Sequence, residues 1–373
     1  MRPTFNEAVY SMLHLLPVDE QKEAVSALGG LLEPPQDLPY LFVGWAPIAA
    51  CFVIAYLAMT SRDRVRRAVL ASAGVLIALL YVTLFVELQA REGYRLLMVL
   101  HLPLIAWVGC GLYLLGQGSE PRARFAFVHK SFEVFVTAGL FTGAGGAFAA
   151  ITIGMFEALG IRLPEAVVRL LFAGGGGLIP VLAVASSYDP RSSPLAQRLH
   201  QGVGKIVSTV LRLMLPLALL VLVIYLVAIP FNFMEPFRNR DTLIVYNVML
   251  FAVMGLLVGA TPVQEADLAA RQQRVLRAGI LAVAALAVLV SLYALSAVVY
   301  RTVVGGFTVN RLAVIGWNGV NVGILALLIY KQLRACAARW LDAAQAVYGW
   351  GMAAYAAWGA FLVLAVPLLF REG

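Results

Sequence analysis

Ten long apolar stretches, separated by short loops rich in arginine, leave this chain very few architectures to fold into. They fall at about residues 39–59, 68–88, 96–115, 132–159, 165–187, 205–230, 242–261, 278–300, 310–330 and 347–370. As helices rising about 1.5 Å per residue, they have the length to cross a hydrocarbon core of roughly 30 Å. Lipid offers no partner to backbone N–H and C=O groups, so only helices and closed barrels can span it. A barrel would read as short alternating strands, and none are visible. The expected fold is all-α: a polytopic transmembrane helical bundle of about ten spans over residues 39–373, preceded by a short amphipathic tail, residues 1–38.

Composition matters here mainly for what it excludes. Of the 373 residues, 61% are hydrophobic and 13% charged, whereas soluble domains carry about a quarter charged residues. A net charge of +8 would suit a nucleic-acid partner, but the basic residues collect in short loops, as Lys and Arg do beside membrane spans. Membrane lipids, not nucleic acid, are therefore the expected surroundings. Cys51 and Cys110 fall inside apolar spans and Cys336 in a loop, a spacing that makes neither a disulfide framework nor a zinc site.

The loops set the threading. Those after the odd-numbered spans hold Arg62, Arg64, Arg66 and Arg67; Arg122, Arg124 and Lys130; Arg191, Arg198 and Lys205; Arg271, Arg274 and Arg277; and Lys331, Arg334 and Arg339. Each outscores every loop on the other side, which places all five in the cytoplasm and both termini outside. In the tail, Val9, Met12, Leu13 and Leu16 recur at helical spacing before Pro17, and Asp19 can cap a second short helix ending at Gly29-Gly30. No basic-then-apolar opening precedes the first span, which is expected to direct insertion itself.

Several spans carry features that bend or pack helices. Pro47 and Pro216 interrupt spans 1 and 6, and Gly174-Gly175-Gly176-Gly177 with Pro180 sits inside span 5. Proline removes a backbone donor, a loss tolerable in lipid where neighbours or water satisfy the freed carbonyl. Gly139 and Gly143 in span 4 form a small-xxx-small pair that lets two backbones approach.

Ionisable groups inside spans are costly and call for a partner, water or an end position. Lys205, Arg212 and Glu133 lie near predicted cytoplasmic ends. The others fall towards the opposite side: Glu87 ending span 2, His101 early in span 3, Glu157 ending span 4, Arg169 early in span 5, and Arg311 opening span 9. Within hairpins, Glu87 can meet His101 and Glu157 can meet Arg169. A carboxylate beside an imidazole can move protons or hold a cation, or serve as a neutral structural pair. In span 9, Arg311, Asn318, Asn310 and Asn321 share one helical face, with Tyr293 and Tyr300 of span 8 as candidate partners. Asparagines there bond across to another helix or line a polar cavity.

No P-loop, zincin motif, nucleophile elbow or dinucleotide fingerprint occurs, and the four histidines have no ligand spacing. No catalytic residue, cofactor or metal is assigned. The leading expectation is a carrier-like or small-molecule-binding membrane protein, its polar groups being Glu87, His101, Glu157, Arg169, Tyr293, Arg311, Asn318 and Asn321. A non-transporting scaffold or sensor subunit with a protein partner, and a membrane-embedded enzyme acting on lipid or glycan, are the alternatives.

Three blocks resemble a bacterial membrane family known as domain of unknown function 4153. They are Leu213-Met214-Leu215-Pro216-Leu217-Ala218-Leu219-Leu220 leading to Ile224-Tyr225-Leu226; the loop around Pro236 with the apolar run through Gly255; and Ser291-Leu292-Tyr293-Ala294-Leu295 with Gly306-Phe307-Thr308-Val309-Asn310-Arg311. The last is similar to the family's Tyr-Gly-x-Thr-x-Asn-Arg turn, with Gly305 where tyrosine is usual and Val309 where proline is common. Glu235 stands where tryptophan often precedes the loop proline. The resemblance covers about residues 130–335. It implies a polytopic protein of the bacterial cytoplasmic (inner) membrane and supplies no activity, cofactor or catalytic residue.

Overall fold

The computed structural model describes residues 40–370, apart from 62–63, 90–91, 117, 162, 170–173, 198–201 and 265–267; the amphipathic tail lies outside them. The chain divides into two units, residues 1–44 and 45–373. Among the described residues all regular structure is helical: α1 (Tyr40–Ser61), α2 (Val65–Gln89), α3 (Glu92–Leu115), α4 (Pro121–Ala158), α5 (Glu165–Arg169), α6 (Gly175–Ser187), α7 (Val203–Ala228), α8 (Glu235–Arg238), α9 (Arg240–Ala260), α10 (Ala270–Gly305), α11 (Val309–Arg334), α12 (Trp340–Leu364) and α13 (Val366–Leu369). Nine of these are long and apolar enough to cross a membrane. The chain is a polytopic α-helical membrane protein.

The two largest differences in where a helix begins, at α4 and α10, share one cause: basic helical turns that read as loop. Helix α4 begins at Pro121, where Glu120 is extended and proline occupies the first turn, a position that lacks an intrahelical partner for its N–H anyway. It reaches 38 residues. Its added N-terminal turns carry Arg122, Arg124 and Lys130, which made them read as a loop, yet they also bury Phe125, Ala126, Phe127 and His129. Helix α10 likewise starts at Ala270, with the Gln272 side chain accepting from the Ala269 N–H at 3.1 Å. It ends where Gly306 takes φ 80°, a positive value that glycine adopts without a side-chain clash.

Of the span expected over 165–187, the described residues hold α5 and α6, both helical, and Gly174 to Gly177 lie at the start of α6 in helical conformation. The stretch 170–173 between them lies outside the described residues.

The basic loops gather at one end of the bundle, held by hydrogen bonds between loops distant in sequence. Arg64 donates to the Leu114 carbonyl, and Arg277 to those of Gln332 and Ala335 at 2.5 and 2.8 Å. Gln345 donates to Pro262 and Val263, Trp340 to Gln273, and Arg122 pairs with Asp342.

The main core lies among α7, α9, α10, α11 and α12, where Leu257, Ile280, Val283, Leu325, Leu328 and Leu341 are fully buried, and Phe125 of α4 joins them. Small residues bring these helices close. A Cβ on Gly349 would stand 2.1 Å from the Pro121 carbonyl oxygen, so α12 and the start of α4 touch backbone to backbone. A second, smaller core joins Val53, Ile54 and Leu57 of α1 to Ala68, Tyr113 and Tyr188.

Candidate functional site

The polar residues of α11 form a line of bonds to three neighbouring helices. Asn318 is buried and donates to Asn247 Oδ1 of α9 at 2.5 Å and to its own helix at the Val314 carbonyl. Trp317 donates from Nε1 to His101 Nε2 of α3 at 3.0 Å. An indole N–H can only donate, so Nε2 accepts and the His101 proton sits on Nδ1, 2.6 Å from the Leu97 carbonyl. The imidazole is thereby neutral, fixed in one tautomer, and stacked on the Trp317 ring at 5.8 Å. Asn321, fully buried, accepts from the Tyr355 hydroxyl of α12. Its amide nitrogen has no hydrogen-bond partner among the described residues.

Asn318 and Asn321 of α11 and His101 of α3 thus serve as interhelical links, His101 meeting α11 through Trp317. The partners of the two asparagines are Asn247 and Tyr355, not Tyr293 or Tyr300. Tyr293 donates to the Phe233 carbonyl at 2.7 Å and packs among Phe233, Phe237 and Tyr246. Arg311 folds back onto the Gly306 carbonyl and Asn310 is exposed, so of the four polar residues of span 9 only Asn318 and Asn321 are buried. Glu157 is exposed near the end of α4. The side chains of Glu87 and Arg169 lie outside the described residues, and with them the pairings to His101 and Glu157.

A different place has the form of a binding site. Between α1, α3, α4 and α6 lies a cleft of about 670 Å³, within the usual size of small-molecule pockets, about 300–1,000 Å³. Its walls are Trp45 to Leu57 on α1, Pro103 to Leu114 on α3, Phe127 to Thr142 on α4, and Gly176 to Val184 on α6 with Tyr188. Along α4 the lined length is about 22 Å at helical rise. Nearly all of the lining is apolar, and Phe135 on its border is 80% exposed.

Polar groups enter the cleft from α4. Lys130 lines it, and Lys130 Nζ meets Glu133 Oε2 at 2.7 Å, with side chains only 4% and 10% exposed. One residue on, Ser131 accepts from Trp107 Nε1 at 2.9 Å and donates to the Phe127 carbonyl. Further along, Ser187 donates to Thr137 at 3.1 Å. An ion pair removed from water gains stability from its geometry only against a large desolvation cost, and charged groups at such depth mark function by default. Hydropathy alone misses Lys130. The i,i+3 spacing from Lys130 to Glu133, together with apolar Phe125, Phe127, Val128 and Phe132, was the signal that the helix starts earlier.

Among the described residues no three His, Cys, Asp or Glu side chains gather in a group that could hold a metal ion. Cys336 is exposed between α11 and α12; hydrogen bonding with Arg339 holds its thiol below the usual range.

No known protein family, curated protein or solved structure matches this chain.

Proposed function

We propose that this membrane protein binds one lipid-like amphiphile in the cleft between α1, α3, α4 and α6, as a carrier-like or small-molecule-binding protein. The observation that carries the reading is the cleft itself: an apolar channel open at Phe135 and polar chiefly where Lys130 and Ser131 enter it. An alkyl chain lies along the apolar walls, and a head able to exchange hydrogen bonds sits beside Lys130 and Ser131. Neither His101 nor the asparagines of α11 line it, so they hold the scaffold against which its walls are set.

Mass spectrometry of lipid extracted from the purified chain tests the reading, with Gly139→Phe as comparison. A Cβ at Gly139 meets nothing within 4 Å, so the ring can enter the cleft without displacing backbone. The expected result is one amphiphile per chain in the parent and a loss of at least tenfold in the variant at unchanged thermal stability. An empty parent, or equal loading in both, overturns it.

The same proposal keeps the bacterial inner membrane as location, the basic end in the cytoplasm, and the resemblance to domain of unknown function 4153 over residues 130–335. A second reading, a non-transporting scaffold subunit, draws on the exposed apolar surface of α4, including Phe148, Ile151 and Met155. A stoichiometric protein partner, retained in mild detergent and lost on Phe148→Lys, supports that reading.

A further inference from the structure

A second cavity of about 570 Å³ lies at the basic end, between the last two turns of α11 and the first three of α12. Its upper part is cationic. Lys331 and Arg334 stand three residues apart in the last turn of α11, a spacing that puts both on one face, and Arg339 immediately precedes α12. All three are exposed. Its lower part is apolar: Leu327, Ala343, Ala346, Val347 and Trp350 continue the groove down the same two helices. From Arg339 to Trp350 the groove descends about 16 Å at helical rise.

Two features keep the upper part positive. The one carboxylate lining it, Asp342, is paired with Arg122 and also feels Arg339. A single negative charge is thus shared with Arg122, and the groove keeps an excess of positive charge from Lys331, Arg334 and Arg339. The C-terminal carbonyls of α11 would repel an anion, but Arg277 covers those of Gln332 and Ala335. The opening turn of α12, whose backbone donors favour negative charge, faces the same space. At the lower end, Trp350 is 57% exposed with the Arg124 guanidinium over its ring at 5.1 Å, and Arg334 lies over Tyr330 at 4.8 Å. An amphipathic ring bordered by guanidinium groups suits the level where headgroups meet acyl chains.

We infer that this groove is a binding site for an anionic glycerophospholipid, with its phosphate among Lys331, Arg334 and Arg339 and one acyl chain along Ala343, Ala346, Val347 and Trp350. A free phosphate would satisfy the cations and leave the apolar floor unused; a zwitterionic lipid would fill the floor without neutralising the charge. The site shares no lining residue with the cleft of α1, α3, α4 and α6 and does not depend on it.

The test uses the full chain in phosphatidylcholine nanodiscs doped with brominated phosphatidylglycerol or, separately, brominated phosphatidylcholine, reading tryptophan quenching. Brominated phosphatidylglycerol is expected to quench a component that disappears in Trp350→Phe, at a concentration where brominated phosphatidylcholine quenches little of it. With about fivefold in affinity per surface cation, Lys331→Gln/Arg334→Gln/Arg339→Gln is expected to lose about a hundredfold. Inorganic phosphate is expected not to relieve the quenching. Equal quenching by the two lipids in the unaltered chain overturns the inference without any variant. Full relief by inorganic phosphate assigns the cations to a free anion and overturns it too, as does undiminished selectivity in a folded triple variant.

Discussion

The helices from α9 to α12 and two of the cleft helices, α4 and α6, are built from the same residue types, used in opposite ways. In α9 a share of 56% of the most apolar window is buried, against 11% in α4. Glycine shows the contrast best. Among α9 to α12 a Cβ on Gly259, Gly316, Gly349 or Gly359 would collide with a neighbour at under 3 Å, whereas on α4 and α6 a Cβ at Gly139, Gly143, Gly154 or Gly176 meets nothing within 4 Å. Polar groups differ in what else they touch. Those of α11 are tied to other helices away from the cleft, whereas Lys130 and Ser131, though bonded to Glu133 and Trp107, also border open volume. These glycines of α4 and α6 thus leave space where those of α9 to α12 close it.

The largest expected effect tests the ion pair at the cleft. Lys130→Met leaves the Glu133 carboxylate buried without its ammonium, a loss of about 3–5 kcal/mol by the usual cost of breaking a buried pair. Adding Glu133→Leu should return most of it. Thermal unfolding in detergent measures both, and a neutral single variant would mean that water reaches the pair. Next comes the closed half. Gly349→Ala must part α12 from the Pro121 backbone, and about 3 kcal/mol of destabilisation is expected from such overpacking.

Smaller changes sharpen the contrast. Gly143→Ala and Gly154→Ala on α4 are each expected to stabilise by about 0.5–1 kcal/mol, because the glycine penalty in a helix is lifted and no neighbour is touched. Destabilisation there would reveal a packed face. For the bond across α9 and α11, a double-mutant cycle of Asn318→Leu and Asn247→Leu should return a coupling near about 0.6 kcal/mol. Smallest of all is a chemical difference at the basic end. The Cys336 thiol, held low through Arg339, should alkylate at lower pH than a free thiol, and Arg339→Gln should move the profile of rate against pH upward.

The apolar runs were legible because length and hydropathy are local properties, and eight of the nine crossing helices begin within eight residues of where the runs place them. The start of α4 was not. A reading that rejects charge cannot see that Arg122 meets Asp342, that Arg124 lies over Trp350, or that Lys130 meets Glu133. The asparagines of α11 were visible as polar residues out of place. Their partners were not, because Asn247 and Tyr355 lie on other helices, and His101 reaches Trp317 across 216 residues of sequence. The cleft had no signature in sequence at all, since empty space is a property of four walls together.

Helix α4 has a further consequence through its 38 residues. It measures about 57 Å, while a bilayer with its headgroups measures about 40–45 Å. Its far turns keep Phe148, Ile151 and Met155 exposed, so the apolar surface continues well past the cleft. Leaning is one way a helix of surplus length stays in lipid. Since α4 is also one wall of the cleft, a lean that followed bilayer thickness would change the width of that opening.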